Sequence, residues 1–523
     1  MIWKDRKHFF YNKIFFIFLL GFALRLYACM NTPVVNPDGV LYIQQARAIY
    51  YGEWKNITYE SVNYVSNYPF FIAGAYTIFH NWVFAARFIS LLFGFATLIP
   101  LHFLLKRFFD DNISTGCTLI FALIPLFVSR SGDVVRGPIC WFFLMLGLYY
   151  FISQIGIKNR RYLLFSSLSF LMASWARIEA LLLVIVSCLY ILLIEKKRKL
   201  ENFAIFISPV FILILFSLFW ALISDVSGNR LYRVNEILPK ISNSIDQYQG
   251  VRTSLRALVT DHRDSFLGNF LKKARNLVWL IALGTVIRYI VITFFYPFFF
   301  IFLFGLGGIW ERIKNDHRVL YISLIFISGL VLLYIQLIDK WIMSQRFLAV
   351  VILPSCIFIG FGLEKILVFL RAKFGLKESA AFIVVCLLIL ASGLPNNLKL
   401  RETDKAVFRQ IGEVIAKREG NRSVSKVAAV RSTAHKWVLF YANLKYQGFF
   451  SSRNSGIKFK NYNQLVTYMK QNRIKYFLWE EALWPLEKFD FIHTEWHQNF
   501  REIGHWHHPD TERIILFEVI DSK

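Results

Sequence analysis

The sequence has little charge for its length. Of its 523 residues, 18% are Asp, Glu, Lys or Arg, whereas 56% are hydrophobic. Long apolar runs recur between residues 14 and 395, and each is close to the ~20 residues that a helix needs to cross a ~30 Å hydrocarbon layer. Backbone amides in lipid must be satisfied within their own segment, so these runs are predicted to be transmembrane helices. The composition therefore excludes a purely soluble protein.

Cysteines are few, and their spacing excludes the usual cysteine-based sites. There are six, none of them in a CxxC pattern, and all lie in or beside apolar segments: Cys29, Cys117, Cys140, Cys188, Cys356 and Cys386. Neither a disulfide framework nor a zinc site is predicted from this arrangement. The sequence also lacks an internal repeat and any low-complexity segment.

Acidic residues are outnumbered, with 34 Asp and Glu against 60 Lys and Arg, which gives a formal charge of +26. The basic residues cluster in short patches between apolar runs, as in residues 158–161 and 196–199. Such patches are typical of cytoplasmic loops and orient a membrane protein. Much of the charge therefore reflects topology, and no nucleic-acid partner is predicted.

About eleven spans are predicted, which gives a mainly α, polytopic transmembrane helical bundle. They cover residues 12–30, 82–105, 113–128, 138–155, 162–176, 177–194, 203–223, 286–309, 319–338, 347–364 and 379–395. With the N-terminus inside, the cytoplasmic ends carry 20 Lys and Arg, whereas the short outside segments carry seven. This bias predicts an N-in, C-out topology. The first span lacks a small-residue cleavage site and is expected to be a retained anchor.

Two domains are predicted. Residues 1–395 form the transmembrane domain, with outside loops at 31–80 and 224–285, the latter amphipathic through 270–283. Residues 396–523 form a small soluble α/β domain on the outer face, because short β-like runs alternate there with a helical stretch. The β-like runs are 425–430, 437–441, 475–479 and 513–519, and the helical stretch is Tyr462–Gln471.

The stretch 36–42, just outside the first span, is the most informative part of the sequence. Asn36 suits a helix N-cap and Pro37 suits the first helical position. Apolar residues follow at helical spacing through residue 54, which predicts a short amphipathic helix on the outer membrane surface. Asp38 lies in its first turn, where a carboxylate can reach both a lipid headgroup and a water-borne acceptor. The alternative is an ordinary acidic residue that the helix dipole favours.

An Asp just after the first span, opening an amphipathic helix with Tyr42 four residues on, resembles the GT-C glycosyltransferase superfamily. Within it, the chain is most similar to the protein O-mannosyltransferases and lipid A aminoarabinose transferases. Segments 67–71, 87–90, 129–136 and 345–347 resemble further parts of that pattern, which covers roughly residues 10–370. Gly39 stands where many members carry a second acid, so a paired-acid or strictly metal-dependent site is not predicted.

The resemblance implies transfer of a sugar from a polyprenyl phosphate. That chemistry needs a base for the acceptor hydroxyl, for which Asp38 is the candidate, and cations to hold the departing phosphate. Arg136, Arg346 and Lys340 fall in outside turns, and the planar arginine fork suits phosphate oxygens. The alternative for each cation is snorkelling of a helix-end side chain to the lipid headgroups.

Other candidates lie close to these turns. Arg177 and Glu179 sit between two apolar runs, where ionisable groups are costly and are usually paired or functional. A substrate role and a plain ion pair remain open for them, and Asp133 is a candidate second acid. Tyr42 is a candidate substrate contact. The histidines at 505, 507 and 508 fit a metal site or, more simply, the surface of a soluble domain.

The sequence therefore predicts an inverting glycosyltransferase of the inner membrane, with its active site facing the periplasm or exterior. Its partners would be a polyprenyl-phosphate sugar, membrane lipid and a glycan, lipid or protein acceptor. No cofactor is required, although a divalent cation is compatible with the chemistry. Two rivals remain open: a transporter or flippase of lipid-linked sugars, and a membrane scaffold or sensor with a partner-binding tail. Transporters usually show repeats and polar groups at mid-membrane, whereas the ionisable residues of this chain concentrate at outer helix ends.

Overall fold

The fold was obtained as a computed structural model, which describes residues 13–58, 64–157, 159–195, 197–223, 237–262, 265–420, 423–451, 460–486 and 489–520. The chain divides into two compact units. The first, called the helical unit, comprises residues 1–26, 90–131 and 136–398. The second, called the mixed unit, comprises residues 27–89, 132–135 and 399–523. The predicted outside segment that carries Asp38 thus groups with the C-terminal tail.

Helices dominate the described chain. In order, they are α1 Lys13–Met30, α2 Pro37–Tyr50, α3 Tyr68–Phe79, α4 Trp82–Ala96, α5 Leu98–Leu105, α6 Asp111–Leu123, α7 Pro125–Ser131, α8 Gly137–Ile157, α9 Arg161–Ala176, α10 Leu181–Leu193, α11 Lys199–Ile223, α12 Ile237–Asp261, α13 Phe266–Asn276, α14 Val278–Phe294, α15 Tyr296–Leu306, α16 Ile309–Asn315, α17 His317–Lys340, α18 Ala349–Ile352, α19 Cys356–Phe374, α20 Glu378–Leu398, α21 Ala406–Glu419, α22 Ser432–Ala442 and α23 Tyr462–Gln471. The mainly helical prediction is confirmed.

Several of these helices are long and apolar enough to cross a membrane. Within the described residues there are five, or up to nine if each of four bent helix pairs counts as one span. The five are Lys13–Met30, Trp82–Leu105, Gly137–Ile157, His317–Lys340 and the helix that begins at Glu378. The chain is therefore a multi-pass membrane protein, while the count of eleven spans stays a prediction.

Among the described residues, three of the four bent pairs break where the sequence carries proline or glycine, whereas the pair α13–α14 (73°) breaks at Leu277. The break between α6 and α7 (59°) precedes Pro125, and the one between α18 and α19 (66°) contains Pro354. The break between α15 and α16 (58°) contains Gly307 and Gly308. Proline removes an amide donor, and glycine accepts the positive φ of 67° found at Gly308. The two halves of each of these three pairs can therefore change direction without a strained residue.

The tail of the mixed unit contains a four-stranded sheet in the order β1-β2-β4-β3. The strands are β1 Val427–Ala429, β2 Tyr476–Glu480, β3 Phe500–His508 and β4 Glu512–Val519. β1 pairs parallel with β2, and the other two pairings are antiparallel. Apolar side chains of the strands and of α23 form one core. The predicted small α/β region is therefore present, with the predicted helix Tyr462–Gln471 at the stated bounds.

Two predicted elements of the tail differ from the structure. Residues 437–441 were predicted as a strand but lie in the helix α22. All five are buried, and a short apolar run buried on every side cannot be assigned to helix or strand by periodicity. The strand β3 was missed, because its alternating exposed histidines were interpreted only as a histidine cluster.

The helix α2 starts where the sequence predicts it but ends at Tyr50 instead of continuing to residue 54, which lies in a separate 3-10 turn. Its polar side is also covered. Gln44 is 1% exposed, Gln45 3% and Arg47 0%. The amide of Gln45 donates to Ile57 O at 3.2 Å and to Tyr64 O at 3.3 Å. A helix lying on a membrane surface would expose such a face to water, whereas protein covers this one. The sequence pattern predicts the burial of the apolar face of α2 but not the burial of its polar face.

The predicted orientation has a direct test. A reporter active only outside the cytoplasm is expected to be active when fused after Lys523 and silent when fused after Lys197. The physical reason is the excess of Lys and Arg at the predicted cytoplasmic ends, which resists translocation. Reporter activity and protein amount should be measured together. The reverse pattern of reporter activity would place Asp38 on the cytoplasmic face of the membrane and contradict the predicted orientation.

Candidate functional site

The turn that carries Asp38 is built by local sequence. Asn36 has an extended backbone, and its Oδ1 accepts a hydrogen bond from the Gly39 amide at 2.8 Å. Pro37 occupies the first turn, where a missing amide donor costs nothing. This is the predicted N-cap arrangement, and it leaves Asp38 exposed in the first turn of α2. An acidic side chain is common at this position of a helix, close to the amide groups of the first turn.

A second segment of the mixed unit, residues 132–135, packs against this turn. The Asn36 side chain donates to Val134 O at 2.8 Å. A Cβ added to Gly39 would lie 2.8 Å from both Val134 O and Val134 Cβ. In the same segment, buried Asp133 accepts the Val134 amide through Oδ1 at 2.7 Å. The structure therefore brings the segment of Asp133 onto the turn of Asp38, and it leaves no space for a larger side chain at position 39 unless Val134 moves.

The close approach at Gly39 leads to a prediction. Gly39→Ala is expected to destabilise the protein by about 1–3 kcal/mol, the usual cost of forcing an extra carbon into a packed site. The thermal unfolding midpoint in detergent measures this effect. Gly74→Ala is the matched control, since nothing lies within 4 Å of its Cβ position on α3. Equal midpoints for the two variants would contradict the close packing of Gly39 on Val134.

Tyr42, one turn further along α2, is a packing residue. It is 6% exposed, and its ring meets that of Tyr68 edge-on with a centroid distance of 5.5 Å. The Tyr68 hydroxyl donates to Ala86 O at 2.8 Å. Tyr42 therefore helps to join α2 to α3, and any contact with a substrate would be made from this packed position.

A group of charged residues lies at helix ends of the helical unit. Arg177 ends α9, and its Nη2 lies 3.2 Å from Glu179 Oε1 in the 3-10 turn before α10. The Arg177 guanidinium lies over the Phe347 ring at 5.0 Å from the centroid. Arg346 lies over the same ring at 5.2 Å. Phe347 therefore brings together two arginines that are far apart in the sequence.

Arg136, at the start of α8, belongs to the same group. Both Arg177 and Arg136 attract the Glu179 carboxylate electrostatically. We call Arg136, Arg177 and Arg346 the arginine cluster. With one carboxylate at Glu179, the group is net positive, and Arg346 is exposed. Lys340, in the last turn of α17, is also exposed, but the contacts among the described residues do not bring it to this cluster.

Sequence reasoning missed some residues that hold the Asp38 segment. Arg87, on α4, donates to Cys29 O at 3.4 Å and to Thr32 O at 2.6 Å. These carbonyls belong to the chain that leads from the first span to α2. The signal was present, since an arginine inside an apolar run usually has a partner or a function. Arg47 is a second such residue, and its partners lie about 400 residues away in the sequence.

Comparisons with known proteins give one family match and several similar solved structures. The profile of the family described as dolichyl-phosphate-mannose-protein mannosyltransferase matches residues 67–220. The crystal structure of ArnT from Cupriavidus metallidurans bound to undecaprenyl phosphate is similar, with a TM-score of 0.57, 10% identity, and coverage of 97% of this chain and 98% of that one. The chain thus resembles GT-C membrane glycosyltransferases. The resemblance inferred from the sequence is confirmed.

A second similar protein is the oligosaccharyltransferase of Archaeoglobus fulgidus. Its complex with Zn and sulfate has a TM-score of 0.56 and 11% identity, covering 90% of this chain and 68% of that one. Its complex with an inhibitory peptide and a dolichol-phosphate has a TM-score of 0.52 and 12% identity, covering 100% and 75%. At these identities the likeness concerns the fold. No curated protein sequence matches the chain.

Zn in one of these structures raises the question of a metal in this chain. In the described part of the chain, one group of three side chains has ligand atoms within 4.8 Å of one another, namely Asp404, His508 and Asp510. His508 is 2% exposed, so the prediction of surface histidines is wrong for this residue. It holds for His505 and His507, which are exposed.

Both ring nitrogens of His508 have polar neighbours. Nδ1 accepts the Asp510 amide at 3.1 Å, and Nε2 lies 3.4 Å from Asp404 Oδ2. A divalent cation bound by these three side chains would compete with these contacts for a ring nitrogen of His508. Asp38 is not part of this group.

Proposed function

We propose that the chain is an integral-membrane inverting glycosyltransferase. It transfers a monosaccharide from a polyprenyl-phosphate carrier to a glycan, lipid or protein acceptor on the outer face of the membrane. The match to a mannosyltransferase family supports the reaction class. Similar structures that contain undecaprenyl phosphate or a dolichol-phosphate support a lipid-phosphate donor.

The observation that carries the proposal is the turn at Asp38. Its carboxylate is exposed, whereas the backbone around it is held by the Asn36 cap and by the segment with Val134. A general base has to reach its proton from a fixed position, and a carboxylate on a fixed helix start meets that requirement. Asp133 is proposed as the neighbouring acid that shapes this segment.

In the proposed mechanism, Asp38 takes the proton of the acceptor hydroxyl as its oxygen bonds to the anomeric carbon of the sugar. The bond from that carbon to the phosphate oxygen breaks in the same step, and its electron pair leaves with the polyprenyl phosphate. Attack opposite the leaving group inverts the configuration of the anomeric carbon. The base therefore gains one proton, and the leaving phosphate gains negative charge.

The arginine cluster is proposed to stabilise this developing charge. Guanidinium groups bind phosphate oxygens through two parallel hydrogen bonds, which a lysine does not provide. Arg346 is exposed and is assigned the direct contact. Buried Arg177 forms an ion pair with Glu179. We assign it the role of holding the Phe347 ring, and with it Arg346, in position. Lys340 is kept as a further candidate contact with the donor.

One observation favours the rival function. In the part of the chain that the structure describes, four helix pairs are bent by more than 40° at short breaks, and broken helices are common in transporters. In those proteins, however, the breaks surround binding sites near mid-membrane. A flippase would move the lipid-linked sugar between leaflets without breaking the sugar–phosphate bond, so the products of the two activities differ.

The test is a transfer assay with the purified full-length chain in lipid nanodiscs and a panel of radiolabelled polyprenyl-phosphate sugars. Membrane extract of the host supplies glycan, lipid and protein acceptors. We expect label from at least one donor to enter the acceptor fraction, with release of polyprenyl phosphate. Intact donor in every reaction, together with leaflet exchange of donor in vesicles, would replace this proposal with the flippase.

A further inference from the structure

The tail of the mixed unit is bonded to both ends of α2, the helix that carries Asp38. At the N-terminal side, the Trp437 Nε1–H donates to Val35 O at 2.6 Å. The Val35 amide donates to the Tyr441 hydroxyl at 2.9 Å. Trp437 and Tyr441 lie one turn apart on α22. One face of a tail helix therefore engages both backbone polar groups of a residue three positions before Asp38.

At the C-terminal end of α2, a buried arginine makes the connection. Arg47 is 0% exposed. Its Nε donates to Gly448 O at 2.9 Å, its Nη1 to Leu444 O at 3.4 Å, and its Nη2 to Tyr446 O. Tyr51, the C-cap of α2, donates from its hydroxyl to Gln447 Oε1 at 2.7 Å. The five-residue segment 444–448 thus supplies every one of these acceptors.

The partners of Arg47 are unusual for a buried charge. Among the described residues it pairs with no carboxylate, and neutral carbonyl oxygens take its donors. Aromatic rings cover the guanidinium, with Phe450 at 4.9 Å and Trp82 at 5.6 Å from ring centroid to Cζ. Burial lowers the pKa of Arg47 to about 10, so the side chain is still charged at neutral pH. A buried charge is costly unless its donors are satisfied, and this geometry fixes where α2 ends relative to the tail.

We infer that the tail positions the general base, with Arg47 and Trp437 as positioning residues that act through Asp38. This inference rests on the proposed function for its kinetic part. The two anchors lie on either side of Asp38 along the chain, so loss of either lets the first turn of α2 shift. A misplacement of about 1 Å in a catalytic group can cost about 10²-fold in rate. The tail would then be needed for catalysis even where it makes no contact with donor or acceptor.

The test pairs two tryptophans of the mixed unit. Trp437→Phe removes the indole N–H that donates to Val35 O while keeping an aromatic ring. Trp484→Phe removes an indole N–H that has no hydrogen-bond partner among the described residues. Both rings are buried, so the loss of ring volume is matched. We expect Trp437→Phe to lower kcat of sugar transfer at an almost unchanged KM for the donor, and Trp484→Phe to leave kcat near that of the unsubstituted protein.

Arg47→Lys tests the other anchor, because lysine keeps the charge but cannot reach three carbonyls in a fixed fork. We expect a loss of kcat of up to about 10²-fold. The variant should also be combined with Asp38→Asn. If Arg47 acts through Asp38, the double variant is expected to be hardly slower than Asp38→Asn alone, since residues acting as one unit are not additive. If the two substitutions lower kcat independently, so that the double variant shows the product of the two losses, the inference is overturned. An unchanged kcat in Arg47→Lys would overturn it as well.

Hydrogen exchange tests the anchors without any activity measurement. Tyr441→Phe removes the acceptor of the Val35 amide, so exchange at residues 35–39 is expected to rise while that of strand β4, which does not bond to Val35, stays unchanged. Arg47→Lys is expected to raise exchange in segment 444–448. Unchanged exchange in both places would contradict the positioning role. Raised exchange in a protein that transfers no sugar would instead refute only the proposed function.

Discussion

Asp38→Asn is expected to lower the rate of sugar transfer by about 10²–10⁴-fold, the usual contribution of a general base. Asparagine keeps the size and polarity of the side chain but cannot accept the proton of the acceptor hydroxyl. The Asn36 cap and the contact with Val134 do not involve the Asp38 side chain, so the helix should form as before. The initial rate of transfer at saturating donor measures the effect.

The control for this variant is Asp246→Asn, which removes an exposed carboxylate from α12. It should transfer sugar at the rate of the unsubstituted protein, and both variants should insert and purify in equal amounts. Transfer by Asp38→Asn within a few fold of the unsubstituted rate would remove the proposed mechanism, because no other residue is assigned as the base.

Arg346→Ala is expected to lower transfer by about 10²–10³-fold, the range seen when one group that stabilises developing charge is removed. Arg346→Lys should recover only part of this loss, because lysine keeps the charge but not the two-pronged geometry. The loss should appear mainly in kcat if the contact strengthens as the phosphate leaves. Steady-state kinetics with varied lipid donor separates kcat from KM.

A comparison variant is Arg371→Lys. Arg371 lies in the last turn of α19, with its Nη1 3.7 Å from Glu378 Oε2, and the predicted topology assigns this end to the cytoplasm. Its replacement should leave transfer unchanged. If Arg346→Lys behaves like Arg371→Lys, Arg346 does no more than reach lipid headgroups, which was the alternative stated for every helix-end cation.

The start of α2 could be predicted because its determinants are local. Asn36, Pro37 and Asp38 are neighbours in the sequence, and a cap needs only the amides of the next turn. The anchors of the same helix could not be predicted in this way. Arg47 meets segment 444–448, and Val35 meets Trp437. No spacing rule links residues that are about 400 positions apart.

The arginine cluster was predicted as separate residues rather than as a group. Each arginine lies at a predicted outside turn, which is a property of topology. The contacts that group them, Phe347 with Arg177 and Arg346 and Glu179 with Arg177 and Arg136, appear only in the folded helical unit. The assignment of residues 437–441 to a strand shows a different limit. Buried helices and buried strands have the same apolar composition, so a run of five residues does not distinguish them.

The anomeric configuration of the transferred sugar is the measurement that tests the central claim most directly. A single displacement with Asp38 as base places the acceptor oxygen opposite the leaving phosphate, so the product must have the configuration opposite to that of the donor. Nuclear magnetic resonance of the purified product, compared with the donor of known configuration, gives this directly. Inversion is the expected result. Retention of configuration would require a nucleophile that bonds to the sugar, and it would contradict the role of Asp38 as a general base.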